Sequence, residues 1–393
     1  MQYDFITFDT QTVETDAFHF DGGLLSQLKQ FKDGPVRVVV SEIVVREVFK
    51  HLVEKTRAAR DSAASAHKQA VDHGLANADV PFVAGDVDLR AVARTRLNKF
   101  LQEIGAQIVR ANNVPMSDLV DAYFQPAPPF SAAGKNKAEF PNAIALLSLE
   151  RWAKEGNFKV LGVSKDKGWK AFAELSDRLD LYDELTNALS LLQKHAEEAR
   201  AVVQQMLTSI DTNSDQQLAT RFEMLLANEV SGYSVYAEAD SFYTAAEADQ
   251  VHLNLVDFRF VGDEDEFDFS VIQSGPNMLV AQVEIETSIK AEASFHMSIY
   301  YDSIDKDYTP AGFKTAYTDE EVTLKILATF EREQAPASFE ITKLEIVDGP
   351  RSINFGFVEP DYEPKPEENY QLPDDSPDGR DEVPLLASSP SPH

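Results

Sequence analysis

Val36-Arg-Val-Val-Val-Ser-Glu-Ile-Val-Val-Arg-Glu-Val-Phe49 changes period in mid-stretch. Its first five residues are a short, β-branched run of the kind buried on both faces of a sheet. From Glu42 onward the pattern is helical, with Val45, Val48, Phe49, Leu52 and Val53 on one side. A strand feeding directly into a helix is the repeating unit of an α/β fold. The same unit recurs at Phe5-Ile-Thr-Phe and at Phe158-Lys-Val-Leu-Gly-Val163. Residues 1 to about 175 therefore predict a parallel sheet flanked by helices.

The helix from Glu42 runs to about His73, and its later turns are charged and Ala-rich, so it is expected to project. Further helices are expected over residues 88–112, with Leu97, Phe100, Ile104 and Ile108 in phase, and from Pro141, placed in a first turn, to about Glu155. Helices from about Tyr182 to Ile210 and from Asp215 to Asn228 read as a connector. Beyond Gly232 the period switches to two, as in Met278-Leu-Val-Ala-Gln-Val-Glu-Ile-Glu-Thr287 and Ala293-Ser-Phe-His-Met-Ser-Ile-Tyr-Tyr301, which predicts antiparallel strands with one wet face. The expected organisation is an α/β domain over 1–180, a helical connector over 181–229, an antiparallel β domain over 230–358 and a disordered acidic, Pro-rich tail over 359–393.

The 393 residues contain no cysteine, which excludes disulfides, thiol nucleophiles and cysteine zinc sites. No apolar run approaches the ~20 residues that span a bilayer. The N-terminus lacks a signal-peptide layout, so a cytoplasmic protein without membrane association is expected. The net charge of −30 is unevenly spread: residues 1–200 carry 25 Lys and Arg against 28 Asp and Glu, leaving −27 for the remainder. The first half can present a basic rim to a polyanion; the second repels one, and is expected to meet a basic protein partner, the first half or another copy of the chain.

In open parallel sheets ligands bind beyond the carboxyl ends of the strands. Asp9 follows the first strand in Ile6-Thr-Phe-Asp-Thr10, and Asp166 follows the third in Val163-Ser-Lys-Asp-Lys-Gly-Trp169. Glu47 lies about one and a half turns into the helix after the second strand, with Glu42 at that helix's start. Asn142 opens a later helix in Lys137-Ala-Glu-Phe-Pro-Asn142. Converging carboxylates need cations or raised pKa values, and hard oxygen ligands of this sort select Mg²⁺ or Mn²⁺, which activate water against a phosphodiester. Lys135, Lys137, Lys165, Lys167 and Lys170 would border the same cleft and position phosphates. Plainer readings stand beside these: an Asp after a strand caps a helix, Glu42 complements a helix dipole, and loop lysines are solvated.

The order Asp-Thr after strand one, Ser-x-x-x-x-x-Glu entering a helix, and Ser-x-Asp-x-x-Trp after a further strand resembles the PIN-domain nucleases, in particular a bacterial PIN-like group with a helical insert, over about residues 3–175. The resemblance implies metal-dependent RNA cleavage by three or four acids. It assigns Asp9, Glu47 and Asp166 to the catalytic metal set, with Thr10 and Ser164 as orienting hydroxyls. Gln11 stands where the family commonly has Asn, and Asn142 where it has Asp. An amide cannot supply a carboxylate's charge, so the site is weakened, altered, or compensated by Glu139; the last is disfavoured because Glu139 precedes Pro141 and is expected outside the helix. The implied protein is a Mg²⁺- or Mn²⁺-dependent endoribonuclease, a toxin or defence effector acting on RNA or single-stranded DNA. Its alternative is a non-catalytic RNA- or protein-binding scaffold derived from a nuclease fold.

Overall fold

The computed structural model describes residues 3–77, 87–114, 116–125, 127–130, 136–193, 196–241, 245–263, 266–300, 308–333 and 338–360. The expected tail beyond residue 360 and Lys135 lie outside these residues. Five parallel strands, β1 (Phe5–Phe8), β2 (Arg37–Ser41), β3 (Gln107–Val109), β4 (Val160–Val163) and β5 (Leu179–Tyr182), form one sheet in the order β3-β2-β1-β4-β5. Around it pack α1 (Thr10–Thr15), α2 (Gly23–Ser26), α3 (Glu42–Asp72), α4 (Leu89–Glu103), α5 (Met116–Phe124), α6 (Asn136–Gly156), α7 (Lys167–Ala173) and α8 (Leu185–Leu191). The order doubles back at β1, so the crevice between β1 and β4 is the switch point where such sheets bind ligands.

Several elements differ from the sequence reading. The helix expected over 88–112 stops at Glu103, because Gly105 at φ +64° terminates it and Ile108 passes into β3. The helix expected from Tyr182 to Ile210 is instead the end of β5, then α8, then α9 (Ala196–Asp211). Helix α6 starts at Asn136, which puts Pro141 inside it and Glu139 in its first turn. The first four N–H groups of a helix lack an internal acceptor in any case, so a proline this close to the start forfeits only a second-turn bond.

The remaining chain adds α10 (Gln216–Gly232), β6 (Tyr236–Asp240), β7 (Ala245–Ala248), β8 (His252–Phe260), β9 (Gly262–Asp263), β10 (Glu266–Phe267), β11 (Phe269–Ser274), β12 (Met278–Tyr300), β13 (Tyr308–Glu331), β14 (Glu340–Asp348) and β15 (Ser352–Phe357). Strands β11-β12-β13-β14 form an antiparallel sheet, with β7 and β8 also paired to β12. Both alternating runs read around residues 278 and 293 belong to the one strand β12, whose Val283, Ile285, Ile289, Ala291, Ala293 and Phe295 are buried on one face. Helices α9 and α10 cover that core with Val203, Leu207, Phe222, Leu226 and Val230.

The two sheets also share packing. Ile272, Val280 and Leu327 sit in the core of the parallel sheet. Gln193 after α8 donates to the Ile272 carbonyl at 2.5 Å and accepts from Ser274 N–H at 3.1 Å. The β half is thereby fixed against the parallel-sheet half, through the segment that follows β5.

Candidate active site

Strands β1 and β4 are neighbours in a register that pairs Phe8 with Val163, so the residues just beyond them meet. Ser164 Oγ donates to Asp9 Oδ2 at 2.5 Å and accepts from Asp166 N–H at 3.0 Å. One hydroxyl thus ties the Asp9 carboxylate to the backbone of Asp166. Asp9 is 5% exposed. It also caps α1, its Oδ1 accepting from Thr12 N–H and Thr12 Oγ1, each at 2.7 Å. Burial pushes the Asp9 carboxyl above its usual range; the bonds from Ser164 and Thr12 oppose that rise, and the charge of Asp166 adds to it.

Asp166 is half-buried and caps α7, Oδ1 accepting from Trp169 N–H at 3.0 Å. The plain reading of both aspartates as helix caps is therefore correct as far as it goes. Capping leaves acceptor capacity on Asp9 Oδ2 and on Asp166, since each carboxylate oxygen accepts more than one donor.

Trp169, fully buried, links this pair to α6. Its indole Nε1–H donates to Asn142 Oδ1 at 3.4 Å. On the opposite side Thr10, adjacent to Asp9, donates from Oγ1 to Glu47 Oε2 at 2.8 Å. Asp9, Ser164, Asp166 and Asn142 are thus joined through a run of hydrogen bonds, and Glu47 is tied to the first turn of α1 beside them. Among the described residues, no three His, Asp or Glu side chains are grouped so as to hold a metal ion.

The secondary positions divide. Glu42 accepts from Ala111 N–H at 3.1 Å and pairs with Arg46 at 2.5 Å; the Ala111 bond first, then Arg46, hold its carboxyl below the usual range. It anchors the start of α3 to the turn after β3. Glu139 is half-buried in the first turn of α6, three residues before Asn142, and so does not lie outside the helix as its place before Pro141 suggests. Lys165 pairs with Glu184 at 3.1 Å. Lys167 and Lys170 are exposed on α7, and Lys137 falls in the first turn of α6. Thr12 is a site residue that sequence reading missed; recognising Asp9 as an N-cap would have pointed to it, because the residue three positions on receives the cap.

No curated protein and no solved structure matches the chain. A family model described as PIN domain matches residues 6–169, a span that begins in β1, contains all four positions discussed above and ends on Trp169 in α7. Acids at the carboxyl ends of adjacent parallel strands are consistent with that match, in which residues 6–169 are similar to the PIN domain.

Proposed function

We propose that this protein is a metal-dependent endoribonuclease whose Asp9 and Asp166 form the centre of the site, with Glu47 beside them and Asn142 as a weakened fourth position. PIN domains are generally nucleases and typically use divalent metals. The observation that carries the reading is the buried Asp9 carboxylate at the β1–β4 crevice, tied through the Ser164 hydroxyl to the backbone of Asp166 and raised by that residue's charge. A buried carboxylate in the field of a second one is costly unless a cation relieves it, and two hard-oxygen donors suit Mg²⁺ or Mn²⁺.

Such a cation, held by Asp9 and Asp166, would supply an activated water and neutralise charge on a phosphate. The chain's own groups have separate tasks. Ser164 and Thr12 fix the Asp9 carboxylate, Trp169 holds Asn142 toward the same crevice, Thr10 orients Glu47, and Lys167 and Lys170 offer charge to the phosphate backbone. Such an activity suits a toxin or defence effector acting on RNA in the cytoplasm. Among the described residues no helix is long and apolar enough to cross a membrane.

One observation favours the second reading, a nucleic-acid-binding scaffold without catalysis: the fourth position is an amide, and no three-acid group is formed among the described residues. Asn142→Asp separates the two, because Trp169 can donate to a carboxylate as it does to the amide. Metal-dependent cleavage of single-stranded RNA is expected to rise by about tenfold or more, the effect of restoring one group worth ~1.4 kcal/mol to the transition state, and Asp9→Ala is expected to abolish it. If neither the native chain nor Asn142→Asp cuts RNA or DNA with Mg²⁺ or Mn²⁺, the scaffold reading replaces the nuclease.

A further inference from the structure

A cavity of about 450 Å³ lies between the parallel-sheet half and the β half. That falls within the range of about 300–1,000 Å³ usual for ligand sites. One wall is α1 and the end of β4, including Thr12 and Lys165; the opposite wall is β13 and the turn after β14, including Lys325 and Arg351. Thr12 is the residue whose hydroxyl and N–H both bind Asp9 Oδ1, so the cavity adjoins that strand-end acid at Thr12.

Its charges are unequal in their commitments. Lys165 is occupied by Glu184 at 3.1 Å. Glu345 is held by Lys343 at 2.9 Å and by Gly23 N–H at 3.1 Å, and Asp16 by Leu25 N–H at 3.1 Å. Lys325, half-buried, and Arg351 make no side-chain hydrogen bond or ion pair among the described residues. Lys325 stands opposite Asp348 in the β13–β14 register without forming an ion pair, and a lysine partly withdrawn from water in this way still attracts an anion. Asp183 and Asp348 also line the cavity, which disfavours a simple anion and favours a ligand that combines negative charge with O–H and N–H donors. A ribonucleotide has that combination: phosphate for the cations, and ribose hydroxyls and base N–H groups for the carboxylates. Tyr233 in the same wall adds a ring on which a base can stack.

We propose that this cavity holds a nucleotide of a single-stranded RNA next to the scissile bond, with Lys325 and Arg351 of the β half on its phosphate. The acidic half thereby contributes two positioning cations to the substrate path, and a duplex does not enter. The assignment rests on the nuclease reading for its ligand class and on the cavity for its place.

The test is binding without cleavage: a fluorescent single-stranded RNA titrated with the full chain in EDTA, across a salt series. The Lys325→Ala/Arg351→Ala variant is expected to bind about tenfold more weakly, a loss of 1.4 kcal/mol. The slope of log affinity against log salt is expected to fall by about 0.7 for each phosphate no longer neutralised. Lys325→Arg with Arg351 intact is expected to retain both affinity and slope, which a structural role for the lysine stem alone would not ensure. Equal affinity and equal slope for the double variant and the native chain overturn the proposal. So does a native chain that binds no single-stranded RNA. A chain that binds with the expected salt dependence yet never cuts leaves the cavity assignment standing and removes only the nuclease reading.

Discussion

Asp166 carries two roles that a substitution can pull apart. As the cap of α7 it accepts from Trp169 N–H at 3.0 Å, and as a carboxylate near Asp9 it supplies charge. Asparagine caps a helix about as well as aspartate but carries no charge. Asp166→Asn is therefore expected to unfold in urea within ~0.5 kcal/mol of the native chain while losing metal-dependent cleavage. Asp166→Ala is expected to lose the same activity and about 1 kcal/mol of stability as well. Equal stability of the two variants would mean that the cap contributes nothing, and retained cleavage in Asp166→Asn would remove this residue from the site. Asp9 does not allow the same separation, because its cap, its bond from Ser164 and its burial all act on one side chain.

Among the elements, α3 is two structures in one. Up to Leu52 it buries Val44, Val48 and Leu52 against the parallel sheet, and from Glu54 to Asp72 none of its residues is fully buried. Leu52→Ala is expected to cost about 2–5 kcal/mol of global stability through the cavity it leaves. Ala59→Gly, on the exposed arm, is expected to cost about 1 kcal/mol locally and to raise amide exchange only in the arm. Global destabilisation by Ala59→Gly would show the arm to be part of the cooperative core. The strong runs of β1, β2 and β4 were legible for the reason that the base of α3 was: unbroken apolar residues followed by helical period. Strand β3 was not, since Gln107 and Ile108 are exposed in a three-residue edge strand that a helical pattern could absorb. Strand β5, Leu-Asp-Leu-Tyr, is half-buried and equally short. Asp9 and Asp166 could be read from strand ends, but the Thr12, Trp169 and Asn142 connections depend on packing between elements far apart in sequence. Lys325 and Arg351 were beyond any local reading, because only the seating of one half on the other brings them to the first half.

That seating joins like charges as well as apolar surfaces. Asp16, in the turn after α1, accepts from Leu25 N–H at 3.1 Å, while Glu345 of β14 accepts from the neighbouring Gly23 N–H, also at 3.1 Å. Burial first, against the bonds from Leu25 and Leu24, and then the charge of Glu345 push the Asp16 carboxyl from 3.8 to about 7. An unfolded chain releases this proton near 3.8 and the folded chain near 7, so over that window the folded state binds more protons and stability falls as pH rises. The protonated carboxyl's contribution is complete below the lower value and gone above the higher one. Asp16→Asn removes this group's share of the slope, which is bounded by about 1.4 kcal/mol for each unit of displacement. The variant is expected to match the native chain near pH 4 and to exceed it in urea resistance at pH 8. Glu345→Gln keeps an acceptor for Gly23 N–H but removes the repelling charge and the pair with Lys343. It is expected to move the native chain's pH midpoint downward without abolishing the slope. Asp9 and Glu229, whose carboxyls are also raised by burial, contribute slopes of the same sign in every variant, so the difference between Asp16→Asn and the native chain isolates the junction. Parallel stability curves for the two chains from pH 4 to 8 would show that Asp16 titrates as an ordinary surface carboxylate and that the halves meet there without electrostatic cost.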